Sequence, residues 1–316
     1  MIKVLLTSIA LSFAAVAHAQ VTLVHAHGLS YSADGKRLMI PSHFGLAIYE
    51  NGKWSKAPGP EHDYMGFSGT ARHIYSSGHP ASGSGLVNPF GLLRSRDGGK
   101  TWDKLGLEGE SDFHFMSAGW DSNAVYVWNT EPNSRMRTAG LHYTLDDGAL
   151  WKRASANGVS GDLRALAIHP DHAATLAVAT SQGLFVSSDH GERFDKRADG
   201  PAFAPFFDLD GKHIWHARFA AGKHVLVRIP ISGGERVQVA LPRIQDDAIG
   251  YLAQNPVARN EYAIATYQRD VYVSKDRGRS WKQLARRGQT DLVAPAGPAS
   301  GNGLNHQHDK RDQKGN

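Results

Sequence analysis

The stretch SRDGGKTW, Ser95–Trp102, decides the fold, because nearly the same octet occurs four times in the chain. Each copy follows a short apolar run, which predicts a strand, a tight turn and a second strand. In such a turn, we expect the aspartate to accept backbone N–H bonds and the glycine to take a positive φ. The four copies are SRDGGKTW (95–102), TLDDGALW (144–151), SSDHGERF (187–194) and SKDRGRSW (274–281).

The spacing of the repeat predicts the architecture. Neighbouring copies lie about 40 to 50 residues apart, which is the length of a propeller blade, and the last gap is about twice as long. Two degenerate copies, YENGKW (49–54) and ISGGERVQV (231–239), supply the missing units. We therefore predict an all-β propeller of six four-stranded antiparallel blades, with seven blades, or a set of unrelated hairpin turns, as alternatives. The predicted blades span 21–58, 61–105, 112–154, 162–197, 203–241 and 246–284.

The two ends of the chain differ from this pattern. Residues 1–19 combine one lysine, an apolar run and an Ala-His-Ala site, which is typical of a cleaved secretory signal peptide. The propeller should then occupy 20–287, and the polar segment 288–316, with His306 and His308, should be a disordered tail. We expect a periplasmic or secreted monomer without a membrane span. Because the chain has no cysteine, its stability must come from the hydrophobic core and not from disulfides.

The charge is mildly positive, +5 at pH 7, and the basic residues do not form a stripe, so nucleic acid is not an expected partner. In a propeller, ligands meet the starts of the innermost strands and the links between second and third strands. A small molecule, a glycan or a protein is the expected ligand. The side chains predicted for this face are His25, His27, His43, His62, Tyr64, His79, His114 and Arg135.

Histidine recurs on that face in three successive blades, with methionine nearby. Such a set without cysteine suits copper or zinc, and we predict one ion bound by His27, His62, His114, Met65 and Met116. The alternative is that each histidine hydrogen-bonds a neighbouring carbonyl or a substrate. A hydrolase would need two carboxyl groups about 5–10 Å apart, for which Asp63, Asp112 and Glu131 are the candidates.

The repeat resembles the Asp-box, or BNR repeat, of sialidases, sortilins and related β-propellers. The segments HAHGLSYSADGKRLMIPSHFG (25–45), LGLEGESDFHFM (105–116) and EPNSRM (131–136) resemble small exported bacterial Asp-box proteins labelled glycosylhydrolase, sialidase-like or sortilin-like. Photosystem II assembly-factor propellers, which bind proteins, are more distantly similar. The resemblance implies turns on the rim away from the ligand, with structural aspartates: Asp97, Asp146, Asp189 and Asp276.

Two functional hypotheses follow. The first is a binding or assembly propeller with a His/Met-rich site on its ligand face. The second is a glycoside hydrolase of the sialidase or BNR type that uses carboxylates on the same face. The segment RIP at 228–230 resembles the sialidase Arg-Ile-Pro motif, although it lies in the fifth blade instead of near the start of the domain.

Overall fold

A computed structural model describes residues 21–220, 223–244 and 246–292. These residues form 24 strands in six four-stranded antiparallel sheets, in which each strand pairs with the next along the chain. The predicted six-bladed β-propeller is confirmed, and the seven-bladed alternative is wrong. Within the described ranges, no helix is long and apolar enough to cross a membrane. The predicted signal peptide, 1–19, and the tail from 293 onwards lie outside the described residues.

The strands follow the predicted blades closely. Blades one and two are β1 (Ser30–Tyr31), β2 (Leu38–Ser42), β3 (Gly45–Glu50) and β4 (Lys53–Lys56), then β5 (Asp63–Gly69), β6 (Ile74–His79), β7 (Leu93–Ser95) and β8 (Asp103–Lys104). Blades three and four are β9 (Met116–Ala118), β10 (Val125–Asn129), β11 (Gly140–Thr144) and β12 (Lys152–Arg153), then β13 (Leu163–Ile168), β14 (Leu176–Thr180), β15 (Gly183–Ser187) and β16 (Asp195–Asp199). Blades five and six are β17 (Ala202–Phe207), β18 (His213–Ala220), β19 (Lys223–Pro230) and β20 (Val237–Val239), then β21 (Ile249–Gln254), β22 (Tyr262–Thr266), β23 (Val271–Ser274) and β24 (Lys282–Ala285).

The hydrophobic core lies between the blades. Successive side chains of a strand point to opposite faces of its sheet, and both faces of each sheet are covered here. In β10, Tyr126 packs toward blade four, whereas Val125 and Val127 pack toward blade two. All three are fully buried. The central strands are therefore nearly continuous apolar runs.

The ring closes between blades six and one. The innermost strands contact one another in order, and β1 also contacts β21. The Leu23 amide donates to the Gly288 carbonyl at 2.9 Å, and the Thr290 hydroxyl donates to the Val21 carbonyl at 2.5 Å. The Trp54 indole donates to the Leu284 carbonyl at 3.0 Å. Hydrogen bonds of the propeller thus extend past the predicted boundary at residue 287.

The repeated turn is organised by its first residue, a serine or threonine. The Ser95 hydroxyl donates to Asp97 Oδ1 at 2.9 Å and accepts from the buried Gly99 amide at 2.8 Å. Asp97 itself accepts from exposed amides, those of Lys100 and Thr101. The corresponding hydroxyls of the other turns accept from the amides of Gly148, Gly191 and Gly278 at 2.9, 2.9 and 2.7 Å. The buried donor is therefore satisfied by the hydroxyl instead of the aspartate.

The turn also joins neighbouring blades. Gly99 has φ +89°, and a Cβ added there would lie 2.3 Å from Leu46 Cδ1 of the preceding blade. Only glycine combines this backbone conformation with this close approach. In blade six, the turn's Trp281 donates its indole N–H to the Ala240 carbonyl of blade five at 2.8 Å.

Blade five, whose own turn has lost the aspartate, is joined to blade six by a buried carboxylate in addition to the Trp281 contact. Asp208, at 2% exposure, follows β17. Its carboxylate accepts from Trp215 Nε1 at 2.6 Å, from the Tyr262 hydroxyl of blade six at 2.7 Å and from Arg228 Nη2 at 3.0 Å. A buried carboxylate with this many donors can remain charged, and it ties the two sheets together.

Loss of the turn hydroxyl should cost more than loss of the aspartate. We expect Ser95→Ala to lower the free energy of unfolding by about 1–3 kcal/mol, because it leaves the buried Gly99 amide unpaired. Asp97→Ala should cost less than Ser95→Ala, since the partners of Asp97 are exposed to water. Urea denaturation measures both, with the exposed strand serine substitution Ser55→Ala as the control. Equal losses for Ser95→Ala and Asp97→Ala would contradict this assignment.

The turn aspartates should also make the fold sensitive to acid. Burial raises the pKa of Asp97, but hydrogen bonds from Thr101 and Ser95 outweigh it and hold this pKa at about 2. Hydrogen bonds from Ser280 lower the pKa of Asp276 to about 2. The unfolded value is about 3.9, so this stability is complete above about pH 4 and is lost as the pH falls toward 2. Urea midpoints between pH 5 and 2 should fall less steeply for the double variant Asp97→Asn/Asp276→Asn.

Candidate functional site

One end of the propeller collects the starts of the inner strands and the links between second and third strands. Asp63, the first residue of β5, pairs directly with His79, the last residue of β6. Side chains of directly opposite residues lie on the same face of a sheet, with about 4.5–5.5 Å between their Cβ atoms. This end, the ligand face, carries two clusters of histidine and aspartate side chains: Asp63 borders the first, and His79 belongs to the second.

The first cluster contains three histidines of blade one. One nitrogen each from His25, His27 and His43 lies within 4.8 Å of the others. Their ring centroids are 4.4 to 5.4 Å apart. Asp63 borders the group, with His43 Nδ1 at 2.6 Å from Oδ2 and His27 Nε2 at 3.7 Å from Oδ1. His27 Nε2 and Asp63 Oδ1 are both buried and neither has a hydrogen-bond partner.

Backbone contacts hold the three histidines together. The His27 amide donates to the Pro41 carbonyl at 3.2 Å, which fixes the first segment against β2. The Gly45 amide donates to the His62 carbonyl at 2.9 Å and fixes the turn that carries His43. The rings of His25 and His27, two residues apart in the chain, lie 5.4 Å apart between centroids.

The second cluster contains His79, Asp112 and His114, and one donor atom of each lies within 4.8 Å of the others. Asp112 Oδ2 is 3.0 Å from His79 Nε2 and 2.6 Å from His114 Nε2. Asp112 Oδ1 is buried without a hydrogen-bond partner. The cluster thus joins the end of β6 to the segment that enters β9.

Blade two positions the segment 112–114. The Phe113 amide donates to the Ser77 hydroxyl at 3.0 Å. Gly66, with φ +53°, lets the chain approach so closely that an added Cβ would lie 2.0 Å from the Phe113 carbonyl oxygen. The Asp112 and His114 side chains, on either side of the anchored Phe113, are held at the ligand face.

The single site predicted from His27, His62, His114, Met65 and Met116 is divided in the structure. His27 and His114 belong to different clusters, and with both methionines they line a central cavity of about 470 Å³. His62 lies apart: its Nδ1 accepts from the Ala81 amide at 3.0 Å, and its ring packs on Phe90.

Three other predicted residues contribute to neither cluster. Tyr64 is fully buried and its ring stacks on Trp102 at 4.7 Å, so it belongs to the core. It follows Asp63 in β5, and strand alternation could have indicated that both cannot face the ligand. Arg135 donates to the carbonyls of Leu105 and Gly148 at 3.1 and 2.6 Å. Glu131 is exposed on the link between β10 and β11.

The two clusters differ electrostatically. Burial lowers the pKa of His27 to about 4, and partial burial and the nearby His43 also lower the pKa of His25. In contrast, the hydrogen bond to Asp112 raises the pKa of His114. His27 therefore presents a neutral nitrogen at pH 7, and His114 is more readily protonated.

Contacts of Arg228 explain two further features, a third cluster of acidic and histidine side chains and the RIP segment. Asp208, Asp210 and His213 also lie close together, but the Arg228 guanidinium contacts Asp208 at 3.0 Å and neutralises it. The same contact explains the RIP segment, because an arginine committed to a buried aspartate is not free to clamp a substrate carboxylate. The six residues of the two clusters, and Asp63 beside them, are all among the residues predicted for the ligand face or as carboxylate candidates, but their division into two groups was not predicted.

Comparison with solved structures shows the fold. The GH74 enzyme of Niastella koreensis superposes with a TM-score of 0.55 at 16% identity, over 84% of this chain and 46% of that one. An ancestral GH74 enzyme gives 0.52 at 11% identity, over 84% and 39%. The chain thus spans less than half the length of either enzyme.

Other propellers are similarly related. Hydrazine synthase of Kuenenia stuttgartiensis gives a TM-score of 0.52 at 14% identity, over 83% of this chain and 80% of that one. No protein-family model and no curated protein sequence match the chain. At these identities the likeness extends to the fold alone.

The opposite pKa shifts should be visible in the metal-free protein. As the pH falls, His114 should protonate first, because Asp112 raises its pKa, and His27 should protonate only near pH 4, because burial opposes its charge. NMR titration of the imidazole resonances after chelator treatment measures both values. A His27 resonance that titrates above pH 6 would contradict the burial seen here.

Proposed function

We propose that the protein is an exported metal-binding propeller that holds a copper or zinc ion at His25, His27 and His43. The observation that carries the proposal is the convergence of three imidazole nitrogens within 4.8 Å on the ligand face. The three histidines come from two segments of blade one, so the fold itself brings their nitrogens together.

The surroundings of the three nitrogens support a cation. His27 Nε2 is buried and unpartnered, and Asp63 offers a carboxylate 3.7 Å away. An ion between them would satisfy both buried atoms and leave few polar groups uncompensated. Three nitrogen donors and a carboxylate suit Zn²⁺ or Cu²⁺. Met65 and Met116 line the central cavity beside His27. They are not among the ligands of the proposed site.

The glycoside hydrolase hypothesis has weaker support. It requires carboxyl groups that exchange protons with a sugar, yet Asp63 and Asp112 each contact two histidines. The likeness to GH74 enzymes shows only the fold. Activity on a panel of glycosides that is abolished by Asp63→Asn and insensitive to chelation would favour the hydrolase instead.

Metal titration tests the proposal. In a His306→Ala/His308→Ala background, which removes the tail histidines, His27→Ala or His43→Ala should lower uptake of Zn²⁺ or Cu²⁺ by one ion per chain, or weaken that ion's binding more than about 100-fold. His62→Gln is the matched control from the same face, and Met65→Leu and Met116→Leu test the thioethers. All three should leave uptake unchanged. Equal uptake by His27→Ala and its parent would refute the site.

A further inference from the structure

We propose that His79, Asp112 and His114 form a second metal site, distinct from the site of the proposed function and able to hold its own divalent cation. The three side chains come from two separate segments, and one donor atom of each lies within 4.8 Å of the others. Two imidazoles and one carboxylate form a donor set typical of Zn²⁺ sites that keep a coordination position open.

The hydrogen bond of His79 directs its free nitrogen toward the cluster. His79 Nδ1 is 2.7 Å from Asn88 Oδ1, so Nδ1 carries the hydrogen in the neutral imidazole. Nε2 then presents a lone pair to Asp112 Oδ2 at 3.0 Å. Two acceptors at this distance need a proton or a cation between them. Anchoring of one metal-binding imidazole through its other nitrogen is also a common feature of metal sites.

The carboxylate of Asp112 is only half used. Its Oδ2 receives both histidines, whereas Oδ1 is buried and has no hydrogen-bond partner. An ion bound to this carboxylate would compensate the buried oxygen. The His114 side chain is 56% exposed. The open coordination position would therefore face solvent at the ligand face, where it could take water or an exogenous ligand.

The two sites are neighbours. Asp63 of the first cluster pairs directly with His79 of the second across β5 and β6. Two cations on neighbouring sites repel each other, so the second ion should bind more weakly when the first site is filled. The ligand face would then present two ions side by side.

Zinc calorimetry on the full chain, with His306→Ala/His308→Ala as the parent, tests this inference. The parent should bind two ions. His25→Ala/His43→Ala should keep one ion, and addition of His79→Ala should abolish uptake. Asp112→Asn, which replaces a charged ligand with an amide of the same shape, should weaken the remaining ion more than about tenfold. His62→Gln should change neither ion, and circular dichroism confirms that each variant is folded.

The outcomes separate the two proposals. A parent that binds one ion, lost in His25→Ala/His43→Ala and retained in His79→Ala, would overturn the second site and leave the proposed function intact. A parent that binds one ion, lost in His79→Ala and retained in His25→Ala/His43→Ala, would overturn the proposed function alone. Uptake unaffected by His79→Ala and Asp112→Asn would also overturn the second site.

Discussion

The fold depends on a hydroxyl group that accepts a hydrogen bond from a buried glycine amide. In four blades, a serine or threonine at the end of the third strand orders the turn, and the glycine of that turn packs against the preceding blade. The hydroxyl allows the amide to be buried, and the missing Cβ allows the neighbouring blade to approach. Local turn geometry is thereby converted into contact between sheets that are distant in sequence.

The architecture could be predicted because it repeats. Each copy of the turn specifies a strand on either side, and the spacing counts the blades even where Asn51 replaces the expected aspartate or where the fifth turn has lost it. The role of Ser95 could not be read from the pattern, because an aspartate and a serine are equally plausible acceptors until burial is known. The joint that Asp208 makes between blades five and six could not be predicted, because it is not part of the repeated turn.

The residues of the two clusters were among those predicted for the site, but so were His62, Tyr64 and Arg135, which lie in neither cluster. The sequence places His27 and His114 at the starts of inner strands, and both are on the ligand face. It does not indicate that Asp63 and His79 pair across the hairpin, or that His27 and His114 belong to different clusters. That division depends on the register of β5 against β6, which includes an irregularity between Met65 and Ser68. Tyr64 belongs to the core because alternation along β5 turns it away from Asp63.

Blades one to three supply every residue of both clusters, and their first histidines lie beside the joint that closes the ring. The Val24 carbonyl, next to His25, accepts from Arg269 of blade six at 2.7 Å, and the Leu23 amide donates to Gly288. The segment that carries His25 and His27 therefore takes its position only when the first and last blades are joined. A ligand that needs both histidines recognises the closed ring and not the opened one, so its binding free energy adds to the free energy of closure. Ligand binding at this face and closure of the ring between blades six and one are therefore thermodynamically coupled.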